Sequence, residues 1–80
     1  MSKIDKLIIR FLTLPKDFHF DELVRILNHF GFHEIKTGKT SGSRVKFINS
    51  ADIIIILHKP HPSGIMKHYQ LKQIKQMLAL

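Results

Sequence analysis

Two stretches of this chain carry residue types that could do chemistry. The first is Lys36-Thr-Gly-Lys-Thr-Ser-Gly-Ser-Arg-Val-Lys-Phe47, a glycine- and hydroxyl-rich basic loop running into a strand. The second is His58-Lys-Pro-His-Pro-Ser-Gly64, a histidine- and proline-rich loop that follows an apolar strand. Small residues let backbone N–H groups approach an anion closely, and Lys and Arg supply charge where it docks. A site built this way suits a phosphodiester backbone better than a neutral metabolite. The first stretch is no P-loop, because Gly38-Lys39-Thr40 lacks the earlier glycine at the required spacing.

The elements that must position these loops are read from hydrophobic periodicity. Ile4, Leu7, Ile8 and Phe11 fall at i, i+3, i+4 and i+7, one face of an N-terminal helix that Ser2 can cap and Pro15 stops. Phe20, Leu23, Val24, Leu27 and Phe30 repeat the pattern, with Asp21 and Glu22 at the positive end of the helix and Gly31 as its stop. A short strand is expected at 32–36. Arg44–Ile48 alternates, with Val45 and Phe47 apolar and Arg44 and Lys46 polar, so it reads as a half-buried strand with a wet basic face. Asn49-Ser-Ala-Asp52 is a turn, and Ile53–Leu57 is a wholly apolar strand. A last helix over 69–80 puts Leu71, Ile74, Met77 and Leu78 inward. The expected fold is α+β, a small α-α-β-β-β-α sandwich with its helices on one face of a three-stranded antiparallel sheet.

Charge narrows the class of partner. The chain has 13 Lys+Arg against 6 Asp+Glu, a formal net charge of +7. Residues 1–35 balance: Lys3, Lys6, Arg10, Lys16 and Arg25 face Asp5, Asp17, Asp21, Glu22 and Glu34. Residues 36–80 hold Lys36, Lys39, Arg44, Lys46, Lys59, Lys67, Lys72 and Lys75 against Asp52 alone. Such asymmetry is an electrostatic footprint for polyanions, nucleic acid before acidic protein or anionic membrane. Eighty residues make one domain with a small core. With no Cys there is neither a disulfide framework nor a thiolate metal site. No apolar run nears the roughly 20 residues of a membrane helix, and charges interrupt any signal-like segment. A cytoplasmic protein is expected. An apolar third strand at a sheet edge also invites pairing, so a homodimer or protein partner along Ile53–Leu57 is expected, unless a loop or helix covers it.

These residues resemble a family. Phe20-Asp-Glu-Leu23 and Phe30-Gly-Phe32 are similar to the first core helix of the HicA-type toxins of bacterial toxin–antitoxin pairs, which ends in a Gly-aromatic pair. Gly38-Lys-Thr-Ser-Gly-Ser-Arg-Val-Lys-Phe47 is similar to that family's loop and Gly-Ser-His strand. His58 and Lys67-His-Tyr-Gln-Leu-Lys-Gln-Ile74 resemble its close, a Lys-x-x-x-Leu-x-x-Ile helix. The resemblance covers residues 19–80 as a core and leaves 3–14 as an extra N-terminal helix. It implies a fold like a double-stranded-RNA-binding domain, an mRNA-cleaving activity and a HicB-like antitoxin as partner; together with the charge asymmetry it leads to the expectation of cleavage at low sequence specificity, and general-base chemistry on a ribose hydroxyl calls for no metal or other cofactor.

One position departs from the pattern. The family's catalytic histidine follows Gly-Ser, and here Arg44 stands there. An imidazole exchanges a proton near neutral pH; a guanidinium does not. Three readings follow. Catalysis has moved to His58, with Arg44 and Lys46 stabilising the phosphorane and His61, held between Pro60 and Pro62, as the fallback base. Alternatively the domain binds RNA without cutting it, or its basic face serves to hold an acidic antitoxin. His58 as an ordinary strand-end histidine stays open beside them. The expected RNA-binding set is Lys36, Lys39, Ser43, Arg44, Lys46, Lys59 and Lys67. A zinc set of His58, His61 and His68 is disfavoured, for want of a fourth ligand. The register of the second hairpin decides the first reading: if Ile48 faces Ile54, His58 lies opposite Arg44 on the wet face, and a slip of one residue turns it into the core.

Overall fold

The computed structural model describes residues 2–35, 44–60 and 63–80. Its elements run α1 (Lys3–Leu12), α2 (Phe20–His29), β1 (His33–Ile35), β2 (Arg44–Ile48), β3 (Ile54–His58) and α3 (His68–Met77). This is the expected α+β order. The strands form an antiparallel sheet in the order β1-β2-β3. Among the described residues no helix is long and apolar enough to cross a membrane.

Each helix begins and ends for a local reason. Ser2 Oγ accepts the Asp5 N–H at 3.2 Å and the Asp5 carboxylate accepts the Ser2 N–H at 3.3 Å, a reciprocal cap. α1 closes at Leu12, short of the expected 14, because Leu14 turns left-handed (φ 52°) ahead of Pro15, whose ring disfavours helical geometry in the residue before it. α2 closes through Gly31 at φ 88°. There the Phe32 N–H reaches the Leu27 carbonyl at 2.9 Å and the Gly31 N–H reaches Asn28 at 3.1 Å. Phe32 is thereby spent on the helix end and the core, and β1 starts one residue later than the periodicity suggests.

One apolar cluster joins the layers. Phe11 from α1, Leu23, Ile26 and Leu27 from α2, Phe47, Ile55 and Leu57 from the sheet, and Leu71 and Ile74 from α3 are all buried in it. Phe18, in the α1–α2 connection, is fully buried and packs on Phe11 with ring centroids 5.7 Å apart. Arg10 secures α1 from outside: its guanidinium pairs with Asp17 at 2.8 Å and Glu22 at 2.9 Å and lies 5.0 Å from the Phe18 ring centroid. Two expected inward residues differ. Met77 and Phe30 are exposed, and Ile26 fills the core position on α2 instead.

Candidate nucleic-acid interface

The second hairpin sets the geometry of the site. In its turn, the Asn49 side-chain oxygen accepts the N–H groups of Ala51 (3.0 Å) and Ile53 (2.9 Å), and the Asp52 N–H reaches the Asn49 carbonyl at 3.1 Å. Asp52 then takes a left-handed conformation (φ 61°), one that Asp tolerates better than most residues. A tight turn followed by a left-handed residue is a three-residue hairpin loop, and it pairs Asn49 with Ile53. The ladder beyond must follow: Ile48 opposite Ile54, Phe47 opposite Ile55, Lys46 opposite Ile56, Val45 opposite Leu57 and Arg44 opposite His58.

Alternation along the strands then sorts the two faces. Phe47, Ile55 and Leu57 enter the core, with Val45 packed against it. Arg44, Lys46, Ile48, Ile54, Ile56 and His58 share the other face, and β1 adds His33 opposite Ile48 and Ile35 opposite Lys46. This outer face has a basic corner of Arg44, Lys46 and His58 beside an apolar corner of Ile48, Ile54 and Ile56. Arg44 and His58 are exposed and Lys46, on the central strand, is half-buried. Ile54 and Ile56 are 47% and 60% exposed, so β3 is not buried on both faces as its all-apolar sequence suggests.

Of the expected site residues, the hairpin brings His58, Arg44 and Lys46 together. Lys36, Lys39, Ser43 and His61 lie outside the described residues. Lys67 is exposed at the N-terminus of α3. Lys59 follows His58 in the chain, and its ammonium lies 5.5 Å from the Phe20 ring centroid. There it lines a depression of about 280 Å³ with His19, Phe20, Asp21, Pro60, Ser63 and Gly64, which none of Arg44, Lys46 or His58 lines.

Sequence reasoning passed over Gln70, which is 6% exposed and donates its side-chain N–H to the His58 carbonyl at 3.0 Å. A signal for it exists. Gln70 stands one residue before Leu71 and four before Ile74, so it shares their inward face, and a polar residue at a core position needs partners.

Chemically, the basic corner offers one group able to take a proton and two permanent cations, next to one another on an open surface. That combination suits a phosphodiester. Comparison with curated proteins and with solved structures finds no match. The model of one family, described as the HicA toxin of bacterial toxin–antitoxin systems, matches residues 20–79. α1 precedes the matched region, which holds the whole sheet, both core helices and the Arg44–His58 pair; the chain belongs to the HicA toxins.

Proposed function

We propose that the chain binds and cleaves mRNA with low sequence specificity, arresting translation as the toxin of a type II toxin–antitoxin pair. The observation that carries this reading is the pairing of Arg44 with His58 across the hairpin, with Lys46 on the same face. The His58 imidazole takes the proton of a ribose 2′-hydroxyl. The 2′-oxygen attacks the adjacent phosphorus, and the bond to the 5′-oxygen of the next nucleotide breaks. Arg44 and Lys46 hold the non-bridging oxygens as charge builds on them. The departing 5′-oxygen is protonated from solvent, and the strand left behind ends in a 2′,3′-cyclic phosphate. Low specificity follows from the face itself, which among the described residues carries cations, isoleucines and two histidines but no Phe, Tyr or Trp ring to stack a base; Tyr69, 62% exposed on α3, is the candidate outside the sheet.

Family membership implies a cognate antitoxin. A HicB-like partner with acidic groups and an apolar patch would match both corners of the outer face and shield the phosphodiester site. The edge of β3 could in addition pair with a second copy of the chain. A sedimentation mass of one chain at micromolar concentration would remove that homodimer.

The discriminating experiment is induction of the chain alone in bacteria. Growth arrest with loss of full-length mRNA is expected. Normal growth at verified soluble expression would leave the other reading, a non-catalytic RNA-binding or protein-interaction module. RNA affinity should also be driven by the backbone. The logarithm of the affinity should fall with the logarithm of salt concentration by roughly 0.7 for each phosphate neutralised on a single strand. Arg44→Ala and Lys46→Ala should each weaken binding across unrelated sequences and flatten that slope by about one contact. Affinity indifferent to salt would contradict the phosphate site.

A further inference from the structure

Among the described residues Gln70 is the one buried polar side chain. A primary amide is costly to bury unless both of its ends are paired, and here both are. Its Oε1 accepts the Lys67 N–H at 2.9 Å, and its Nε2 donates to the His58 carbonyl at 3.0 Å. The first bond is a helix cap, and a glutamate would serve for it: on α2, the Glu22 carboxylate accepts the His19 N–H at 2.9 Å in the same relation. An ionised glutamate has no hydrogen to offer, however, so the donor half of the amide is what distinguishes Gln from Glu at position 70. That half is directed at the last residue of β3.

Strand ends are where backbone order is weakest. His58 ends β3, at the edge of the sheet, and its opposite number Arg44 is the first residue of β2. A hydrogen bond to the His58 carbonyl from outside the sheet adds to what holds this backbone, and the ring it carries, in place. The Gln70 bond fastens this backbone to the start of a helix whose own Leu71 and Ile74 are anchored in the core. We propose that Gln70 is a positioning residue for RNA cleavage: it holds the His58 main chain so that the imidazole stays opposite Arg44. The catalytic consequence rests on the function proposed above; the tether itself does not.

Two variants and one wild-type measurement test this. In the wild type, the Gln70 side-chain amide protons should exchange with solvent far more slowly than those of the exposed Gln73 and Gln76. Gln70→Glu keeps the cap and removes the donor; Gln70→Met removes both while filling the same space, and serves if the glutamate variant fails to fold. In each, the His58 ring signals in the NMR spectrum should shift or broaden while those of His19 and His29 stay put. In each, kcat for RNA cleavage should fall roughly tenfold or more, as expected for a displaced reacting group, with KM within about twofold because no RNA contact is lost. A merely structural role would lower the melting temperature and leave kcat of the folded fraction alone. Rapid exchange of the Gln70 amide in the wild type, or an unchanged kcat in a folded variant, overturns the proposal. Should the wild type cut no RNA, the proposed function falls, and the ring signals then judge the tether by themselves: His58 signals that do not move overturn it.

Discussion

Replacing His58 by alanine is expected to abolish toxicity and to lower the rate of RNA cleavage by roughly two to four orders of magnitude, the usual contribution of a positioned general base. The fold should survive. His58 is exposed, its side chain is not part of the apolar cluster, and the tether from Gln70 ends on its main-chain carbonyl, which alanine keeps. RNA affinity should change much less than the rate, since Arg44 and Lys46 supply the fixed charge. The neighbouring change Arg44→His makes the comparison sharper. It installs an imidazole where the family pattern has its catalytic histidine and should keep or raise activity, whereas Arg44→Ala should lower it through loss of phosphate contact. Placed in the His58→Ala background, Arg44→His should recover part of the lost cleavage, because a proton acceptor is restored one residue across the ladder. The measurements are growth on induction and single-turnover cleavage of a labelled RNA. Wild-type toxicity and wild-type cleavage in His58→Ala would show that the base has not moved to β3. His61 would then be the next residue to change.

The parts of this site that were legible in the sequence are those set by local pattern. Alternation in Arg44–Ile48 placed Arg44 and Lys46 outward and Phe47 inward, and the helical repeats through Phe11 and Leu23 named most of the core residues of α1 and α2, with Phe30 taken for Ile26. The register was harder, because Ile53–Leu57 is apolar at every position and gives no face preference. It is decided by the turn. Asn49 can cap two N–H groups and Asp52 tolerates a positive φ, and together they specify a three-residue loop. Read with that chemistry, the strand can be counted outward from Asn49 and Ile53, and His58 falls opposite Arg44. Lys59 was read from its charge alone. That charge suggested a phosphate contact; what charge does not tell is that the ammonium lies 5.5 Å from the Phe20 ring centroid. Gln70 was invisible to charge and motif alike, since its role depends on a contact twelve residues away.

The largest effect on stability is expected at Phe47. It is fully buried at the centre of the middle strand, opposite Ile55, in the cluster that joins the sheet to all three helices. Truncation to alanine removes a phenyl ring from a place where neighbours on several elements cannot all close in, and such changes cost about 3–5 kcal/mol. A domain of this length holds only about 4–12 kcal/mol in all, at roughly 0.05–0.15 kcal/mol per residue. Phe47→Ala should therefore lower the melting temperature by at least about 12 °C and leave part of the protein unfolded at 37 °C. Toxicity should fall with it, although Phe47 touches no RNA in the proposed complex, because the strand that carries Arg44 and Lys46 loses its anchor. Ile56→Ala is the matched control. It sits on the same sheet, opposite Lys46 on β2, but points outward at 60% exposure, and its loss should change stability by no more than about 0.5 kcal/mol. Binding to the antitoxin should be weakened by Ile56→Ala if the apolar corner is part of the docking surface. Thermal melts of the two variants decide the face assignment directly. A melt for Phe47→Ala close to the wild type, with a collapse for Ile56→Ala, would mean that the sheet turns its other side to the helices. His58 and Arg44 would then lie in the core and have no access to a phosphodiester.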